Sequence, residues 1–392
     1  MNDSLEQLSR TGPGAVKMGT SGRPLLTVFL LVRDEEETLD RAIDSVTALG
    51  PEIVVGVDAD SRDETRKIAE RRAHRVIDVE FERELRGDFS AARNLLDEHG
   101  TGTWGLALDG HEYLEPDSAG PLEALLAASE STKWPGVAFS LLMDEREGGD
   151  RAMVLRCWQR GPQVRYERPV HETLVGMGDS VLGRPDLVIR HARSASRELA
   201  RRAQRATRDL ALLRDRRSRF PDDIVNAWHL SQLLEETGER GEARLLGEWV
   251  LARSEARKPV FQVRVLLHLA TISLSEKRWS DATTLAHRAL GLIWNSVEAW
   301  AIIAQASIGA GDFPRAVHAL HVMPLTSGHD ELPTPIRFET WWPHVMLART
   351  ALRLGRIDLA TRAFQTALAW ELPEDVRAEV GPWAGVPIGG AR

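Results

Sequence analysis

The chain is 392 residues long, enough for two domains, each with its own core, and with room for a third. Its 43% hydrophobic content is that of a globular protein, and a formal net charge of −8 excludes a general nucleic-acid binder, which carries a basic surplus. One cysteine, Cys157, excludes an internal disulfide framework, and no stretch approaches the roughly 20 apolar residues of a membrane span, so a cytoplasmic localisation is expected.

Residues 1–22 lack the apolar core of a signal peptide and are rich in Gly, Ser and Thr, so they are expected to form a flexible tail. The unbroken apolar run Leu25 to Val32 predicts a strand buried on both faces. A charged cluster, Arg33 to Glu37, leads into a helix with Leu39, Ile43 and Val46 on one stripe, closed by Gly50-Pro51. Ile53 to Asp58 is a second buried strand, ending in a carboxylate, and Ser61 with Glu64 has the spacing of a capping box for the next helix. Val76 to Val79 reads as a third strand, Asp88-Phe89-Ser90 opens a helix through Leu96, and Trp104 to Asp109 is a fourth strand. It stops abruptly at Asp109-Gly110-His111-Glu112, three potential metal ligands. Alternating strands and helices imply a parallel sheet with right-handed crossovers, and such sheets bind ligands beyond the carboxyl ends of their strands. The turn after the first strand has no glycine, which argues against a dinucleotide fold, and no P-loop pattern is present. A diphosphate bound here would need a cation to balance its charge.

Five segments together resemble a nucleotide-sugar-dependent glycosyltransferase of the family-two, GT-A type, over roughly residues 25–174. Val32-Arg33-Asp34-Glu35-Glu36 is similar to that family's strand and Asn-Glu-Glu turn, with Asp34 in the Asn place. Residues 57–65, Val-Asp-Ala-Asp-Ser-Arg-Asp-Glu-Thr, resemble its Asp-x-Gly-Ser-x-Asp-x-Thr segment, with Asp60 replacing Gly. Asp88-Phe89-Ser90-Ala91-Ala92-Arg93-Asn94 resembles the branch signature Asp-Phe-Ser-x-Ala-Arg-Asn, Asp109-Gly110-His111-Glu112 falls where Asp-x-Asp-Glu stands, and Val170-His171-Glu172 resembles the later Val-His-Glu element. The branch that joins these to helical repeats includes S-linked glycosyltransferases acting on bacteriocin peptides. The resemblance implies that Asp58 contacts the nucleoside and that Asp34, Asp88, Arg93 and Asp109 serve the donor. It also implies that Asp109, His111 and His171 hold a metal, and that Glu112 or Glu172 is the base, with Glu112 preferred. An imidazole in the motif shifts the expected ion from Mg²⁺ to Mn²⁺. The ordinary structural alternatives are a helix cap for Asp58, an N-cap for Asp88 and a surface ion pair for Arg93. Cys157, between Arg156 and Trp158, is expected to pack rather than react.

From Ser194 the composition changes. Arg197, Arg201, Arg202, Arg205 and Arg208 line a linker helix that Pro221 closes. Beyond it, four turns lead into helices with a small residue at the first packing position: Gly238 to Ala243, Lys277 to Ala282, Gly311 to Ala316 and Gly355 to Ala360. With Trp228 and Trp300 near the starts of preceding helices, the spacing fits the roughly 34-residue tetratricopeptide repeat. The interval from Pro324 to Pro343 is expected to add a loop. Trp249, Trp279, Trp294, Trp341, Trp342 and Trp370 are expected mostly in packing between helices, with one of the adjacent pair Trp341-Trp342 facing outward.

The expected architecture is an α/β GT-A, Rossmann-like, mostly parallel sheet followed by an all-α tetratricopeptide-like repeat domain. Its boundaries are a tail (1–22), the transferase domain (23–193), a linker helix (194–221) and the repeats (222–392). The expected activity is inverting, metal-dependent transfer of a sugar from a nucleoside diphosphate, UDP first among them, to a peptide, glycan or small-molecule acceptor, with homodimerisation through the repeats. The alternative is a non-catalytic scaffold with a degenerate transferase domain and repeats that bind a peptide or dimerise.

Overall fold

The computed structural model describes residues 12–128, 136–142, 150–177, 181–191, 195–255, 257–326, 332 and 334–386. The chain divides into two compact units, Met1–Leu142 with Met153–Glu198, and Met143–Ala152 with Leu199–Arg392.

In the first unit the strands are β1 (Leu26–Val32), β2 (Glu52–Asp58), β3 (Arg75–Val79), β4 (Trp104–Asp109), β5 (Glu112–Leu114), β6 (Gly136–Leu142), β7 (Asp150–Gln159), β8 (Arg165–Glu167), β9 (Thr173–Val175) and β10 (Val181–His191). The helices are α1 (Leu39–Val46), α2 (Thr65–Arg72), α3 (Phe89–His99) and α4 (Pro116–Ala128). The main sheet runs β3-β2-β1-β4-β7-β6-β10-β5, and β8 pairs with β9 separately. β3, β2, β1 and β4 are parallel, as their apolar runs require, while β7 returns antiparallel to β4. Register aligns Leu31 with Asp109 and Val32 with Val57, so β1, β2 and β4 release their following loops at one edge of the sheet.

Val28, Leu30, Val55, Leu106 and Leu108 are fully buried between α1, α2 and the sheet, and Cys157 is buried with them. On the other face Phe29, Val54 and Trp158 pack beneath α3 through Leu96. Gly105 lies flat under the Trp158 ring: a Cβ there would stand 2.6 Å from Trp158 Cζ2.

Local details differ from expectation at several points. Residues 12–22 are tied down, since Lys17 donates its backbone N–H to Gly50 O at 2.7 Å and Met18 bridges to Pro24; residues 1–11 of the expected tail lie outside the described residues. Ser61 does not cap α2, which starts at Thr65; its hydroxyl instead accepts the Asp34 N–H at 3.0 Å. Asp88 is the N-cap of α3, accepting the Ala91 N–H at 3.1 Å.

The second unit comprises α5 (Ala195–Arg219), α6 (Ile224–Glu236), α7 (Arg240–Ala252), α8 (Pro259–Ser275), α9 (Trp279–Leu292), α10 (Val297–Ala310), α11 (Phe313–Val322), α12 (Ile336–Glu339), α13 (Trp342–Arg353), α14 (Ile357–Ala367) and α15 (Glu374–Val380). α6/α7, α8/α9, α10/α11 and α13/α14 form successive antiparallel hairpins. All four hairpins turn the same way. A left-handed residue (Gly238, Lys277, Gly311 or Gly355) is followed by an N–H that reaches back five residues, Glu239 to Leu234, Arg278 to Ser273, Asp312 to Ser307 and Arg356 to Ala351. Ala243, Ala282, Ala316 and Ala360, the small residues read from the sequence, are each fully buried one turn later. Helix α5 is not a free linker: Leu213 packs with Leu230, Leu234, Ala243 and Ile272, and its carbonyl accepts from Asn226 Nδ2.

The expected loop after Pro324 contains α12, although residues 327–331 and 333 lie outside the described residues. Trp341 precedes α13 and Trp342 begins it, and both are half-buried against the core, so neither of the pair faces fully outward. The outward-facing indoles are Trp294, 71% exposed, and Trp370, 44% exposed.

Gly105→Ala drives a methyl group into the Trp158 ring. The expected loss is about 1–3 kcal/mol of stability, the range for overpacking a close-packed core, read as a lowered midpoint in chemical denaturation.

Candidate active site

The acidic turn after β1 and the loop after β2 are stitched together by backbone donors. Asp34, held in the left-handed region at φ +53, accepts the Arg62 N–H at 2.8 Å, and Glu35 and Glu36 donate backbone N–H groups to Thr65 Oγ1 and Asp63 Oδ2. Asp58 is buried, with Oδ1 taking the Asp60 N–H and Oδ2 lying 3.3 Å from Arg33 Nη1. The Asp34 and Asp58 carboxylates therefore frame the two loops at this edge of the sheet.

At the end of β4 five ionisable side chains interlock. Asp109 Oδ1 accepts from Arg93 Nη2 at 2.9 Å, and its Oδ2 lies 3.8 Å from Arg156 Nη2. Arg93 Nε also donates to Glu172 Oε1 at 2.5 Å. Arg156 Nη2 donates to Glu112 Oε1 at 2.6 Å, and Glu112 Oε2 accepts the Asp109 backbone N–H at 3.0 Å. The chain Glu172–Arg93–Asp109–Arg156–Glu112 thus alternates in sign, with three carboxylates against two guanidiniums. Burial pushes the Asp109 carboxyl up, but Arg93, Arg156 and His111 outweigh it and hold the group well below the ordinary range. At Glu112 burial prevails over Arg156, so its carboxyl is raised.

Local structure explains how distant segments meet. Arg93 is on the buried face of α3, and its neighbour Asn94 clamps Tyr166 by both backbone groups, donating to O at 2.9 Å and accepting from N at 2.8 Å. The 168–172 loop is pinned to the same helix, where Phe89 N–H donates to Pro169 O at 2.9 Å. Arg168 and His171 both have positive φ, +80 and +54, so the loop turns sharply and adjacent side chains part. Glu172 points in to Arg93, while His171 is exposed.

His111 belongs to a neighbouring group. Its Nδ1 is buried without a hydrogen bond, 3.4 Å from Glu35 Oε1, and its ring meets that of His191 edge-on at 4.3 Å between centroids. His191 closes β10 in register with Glu112 of β5. Among the described residues no three His, Cys, Asp or Glu side chains are grouped to hold a metal ion, and His171 is not brought to Asp109 and His111. The donor chemistry nonetheless fits a divalent cation. Asp109 keeps 31% of its side chain exposed, and a carboxylate and an imidazole two residues apart are both ligands of the class such ions take. Asp88 stands apart from this group, its Oδ1 spent on the helix cap and on Ser90 Oγ.

The sequence reading passed over Glu35, Asn94, Arg156, Tyr166 and His191. Arg156 and His191 lie on β7 and β10, outside the motifs, and only their alternation on strands facing β4 and β5 hints at them. Asn94 was inside a quoted motif, and its role as a backbone clamp needs the fold.

Residues 27–166 match the family model for glycosyl transferase family 2. A TPR repeat-containing protein of Synechococcus elongatus is 29% identical over 290 residues, covering 70% of this chain and 67% of that protein. Solved structures similar to this chain include MamA from Desulfovibrio magneticus RS-1, at 13% identity and a TM-score of 0.36 over 45% of this chain and 92% of that one. A second MamA crystal structure matches at 13% identity and a TM-score of 0.37, over 46% of this chain and 94% of that one.

Arg93→Met would strand two carboxylates at the end of β4. The expected cost is about 3 kcal/mol, the lower end for breaking a buried pair because Asp109 is partly exposed. The depressed Asp109 pKa stabilises the fold above the ordinary value of about 3.9, and that contribution fades as pH falls toward its folded value. The gap in melting temperature between variant and wild type should therefore be widest near neutrality and shrink below about pH 4.

Proposed function

Starting from the family-two glycosyltransferase domain and TPR-like helical repeats that this chain carries, we propose an inverting, metal-dependent transfer of a sugar from a nucleoside diphosphate to an acceptor recruited by the repeats. The observation that carries this reading is the convergence of Arg93, Asp109 and Glu172 at the carboxyl end of β4, beside His111. Carboxyl ends of parallel strands are where α/β sheets take nucleotides.

In this reading Asp34 and Asp58 flank the nucleoside, UDP being the preferred donor. Asp109 and His111 would hold Mn²⁺ in preference to Mg²⁺, and the His191 ring meets that of His111, whereas His171 is exposed. When bound, the cation would offset charge on a departing diphosphate. Arg93 adds a fixed positive charge to the same end of the site. The acceptor's nucleophilic atom attacks the anomeric carbon, and the bond to the diphosphate oxygen breaks with its electron pair on that oxygen. One displacement inverts the anomeric centre.

The acceptor proton goes to a carboxylate, and access separates the two candidates. Glu112 is 2% exposed and both of its oxygens are engaged, so it cannot reach an acceptor without breaking two interactions. Glu172 keeps 18% of its side chain exposed and uses Oε1 for Arg93, which makes it the better base. None of the described helices is long and apolar enough to cross a membrane. A cytoplasmic location belongs to this reading on the strength of the cysteine usage, one thiol that is buried and unpaired. A peptide is the acceptor that best suits a repeat array, with glycans and small molecules as the other classes.

Thermal-shift screening of UDP, GDP and dTDP sugars with and without Mn²⁺ tests the reading. A ligand at a hundredfold excess over its Kd stabilises its unit by about 2.7 kcal/mol. Glu172→Gln should lower transfer, or slow donor hydrolysis, by at least about 100-fold while leaving UDP affinity nearly unchanged. A wild-type protein inert to every nucleotide and metal would favour the non-catalytic scaffold.

A further inference from the structure

We propose that Arg156, with Glu112, is a positioning pair that sets the orientation of the Asp109 carboxylate, and that neither residue touches the donor or acceptor. The inference rests on the reading of Asp109 as a donor-side ligand and deepens it.

The geometry is a three-point hold on one residue. Glu112 takes the backbone N–H of Asp109 at 3.0 Å, Arg93 takes Oδ1 at 2.9 Å, and Arg156 stands 3.8 Å from Oδ2 while bonded to Glu112 at 2.6 Å. Three residues after the strand end, Glu112 folds back on the Asp109 peptide N–H, and Arg156, bonded to Glu112 from β7, stands 3.8 Å from the Asp109 side chain. The main chain and the carboxylate of Asp109 are thereby fixed to one another. A carboxylate that is one-third exposed and not so held would sample its rotamers and present no single lone-pair direction.

Stability does not account for this pair. Glu112 is 2% exposed and Arg156 15%, so both charges are drawn out of water. The Arg156 Nε–H is also buried with no hydrogen-bond partner, an unmet donor that an apolar side chain would not leave. Buried ion pairs replaced by apolar side chains of similar volume are often neutral or stabilising. A costly arrangement kept at the rim of the site, where it stands 3.8 Å from the most exposed carboxylate of the cluster, is explained by orientation. Both contacts come from the one nitrogen Nη2, which the planar guanidinium holds in a fixed direction, whereas a lysine ammonium would swing on a flexible stem.

The test uses the full-length chain carrying Glu112→Gln with Arg156→Met, which removes both charges but retains an acceptor for the Asp109 N–H. Arg156→Lys serves as the variant that keeps the charge. Both are expected to melt near the wild-type temperature. Crystal structures of the nucleotide-free variants should show Asp109 rotated away from its wild-type direction, and Mn²⁺ affinity read by electron paramagnetic resonance should fall about 10- to 100-fold, as for other residues that orient metal ligands. An unchanged Asp109 orientation with wild-type Mn²⁺ affinity in the double variant overturns the proposal. If the wild type itself binds no Mn²⁺, the metal reading fails, and the Asp109 orientation in the two variant structures alone decides the positioning claim.

Discussion

The carboxylate of Asp109, clasped between Arg93 and Arg156, is the interaction on which the rest of the N-terminal unit depends. Through Arg93 it ties β4 to α3 and to Glu172 on the 168–172 loop, and through Arg156 it ties β4 to β7. Three carboxyl groups and two guanidiniums meet at the strand ends, where burial raises the Glu112 carboxyl and the guanidiniums lower that of Asp109. Such a cluster is held only because every member has an oppositely charged neighbour. In the proposed function Asp109 lends this edge to a cation and, with the cation bound, to a diphosphate, so the cluster that ties the elements together would also serve the chemistry.

Much of this was legible in the sequence because buried parallel strands leave an unmistakable pattern. Leu25 to Val32, Ile53 to Asp58 and Trp104 to Asp109 are continuous apolar runs that stop at charge, and the structure places all three side by side with the first in the middle. The helical hairpins were legible for a different reason. Each turn needs one left-handed residue and one small buried residue at fixed offsets, and Gly238/Ala243, Gly311/Ala316 and Gly355/Ala360 display both. Lys277 fills the glycine position in the second hairpin, and the turn there survives on Ala282 and the backbone bond from Arg278 to Ser273.

What the sequence concealed is who pairs with whom. Asp88 heads a motif beside Arg93, yet one caps the helix and the other lies on its buried face, because residues five apart on a helix are rotated well away from each other. His171 and Glu172 are adjacent, yet the positive φ at His171 sends one outward and one inward. Glu112 and Arg156 are 44 residues apart, and nothing local announces that β7 returns antiparallel to β4 and brings them to 2.6 Å. Ser61 has capping-box spacing but spends its hydroxyl on Asp34, since the two loops at the sheet edge supply each other's missing partners before the helix begins. Local rules gave the elements, and the pairing of charges across them is a property of the sheet topology.

The central claim, that Asp109 mediates between a cation and a nucleoside diphosphate, predicts thermodynamic coupling between the two ligands. Calorimetric titration of UDP into the wild-type chain and into Asp109→Asn, each with and without Mn²⁺, measures it directly. The account predicts that Mn²⁺ tightens UDP binding by at least about tenfold in the wild type, worth about 1.4 kcal/mol, and has little effect in the variant. Equal UDP affinity with and without Mn²⁺ in the wild type would contradict it.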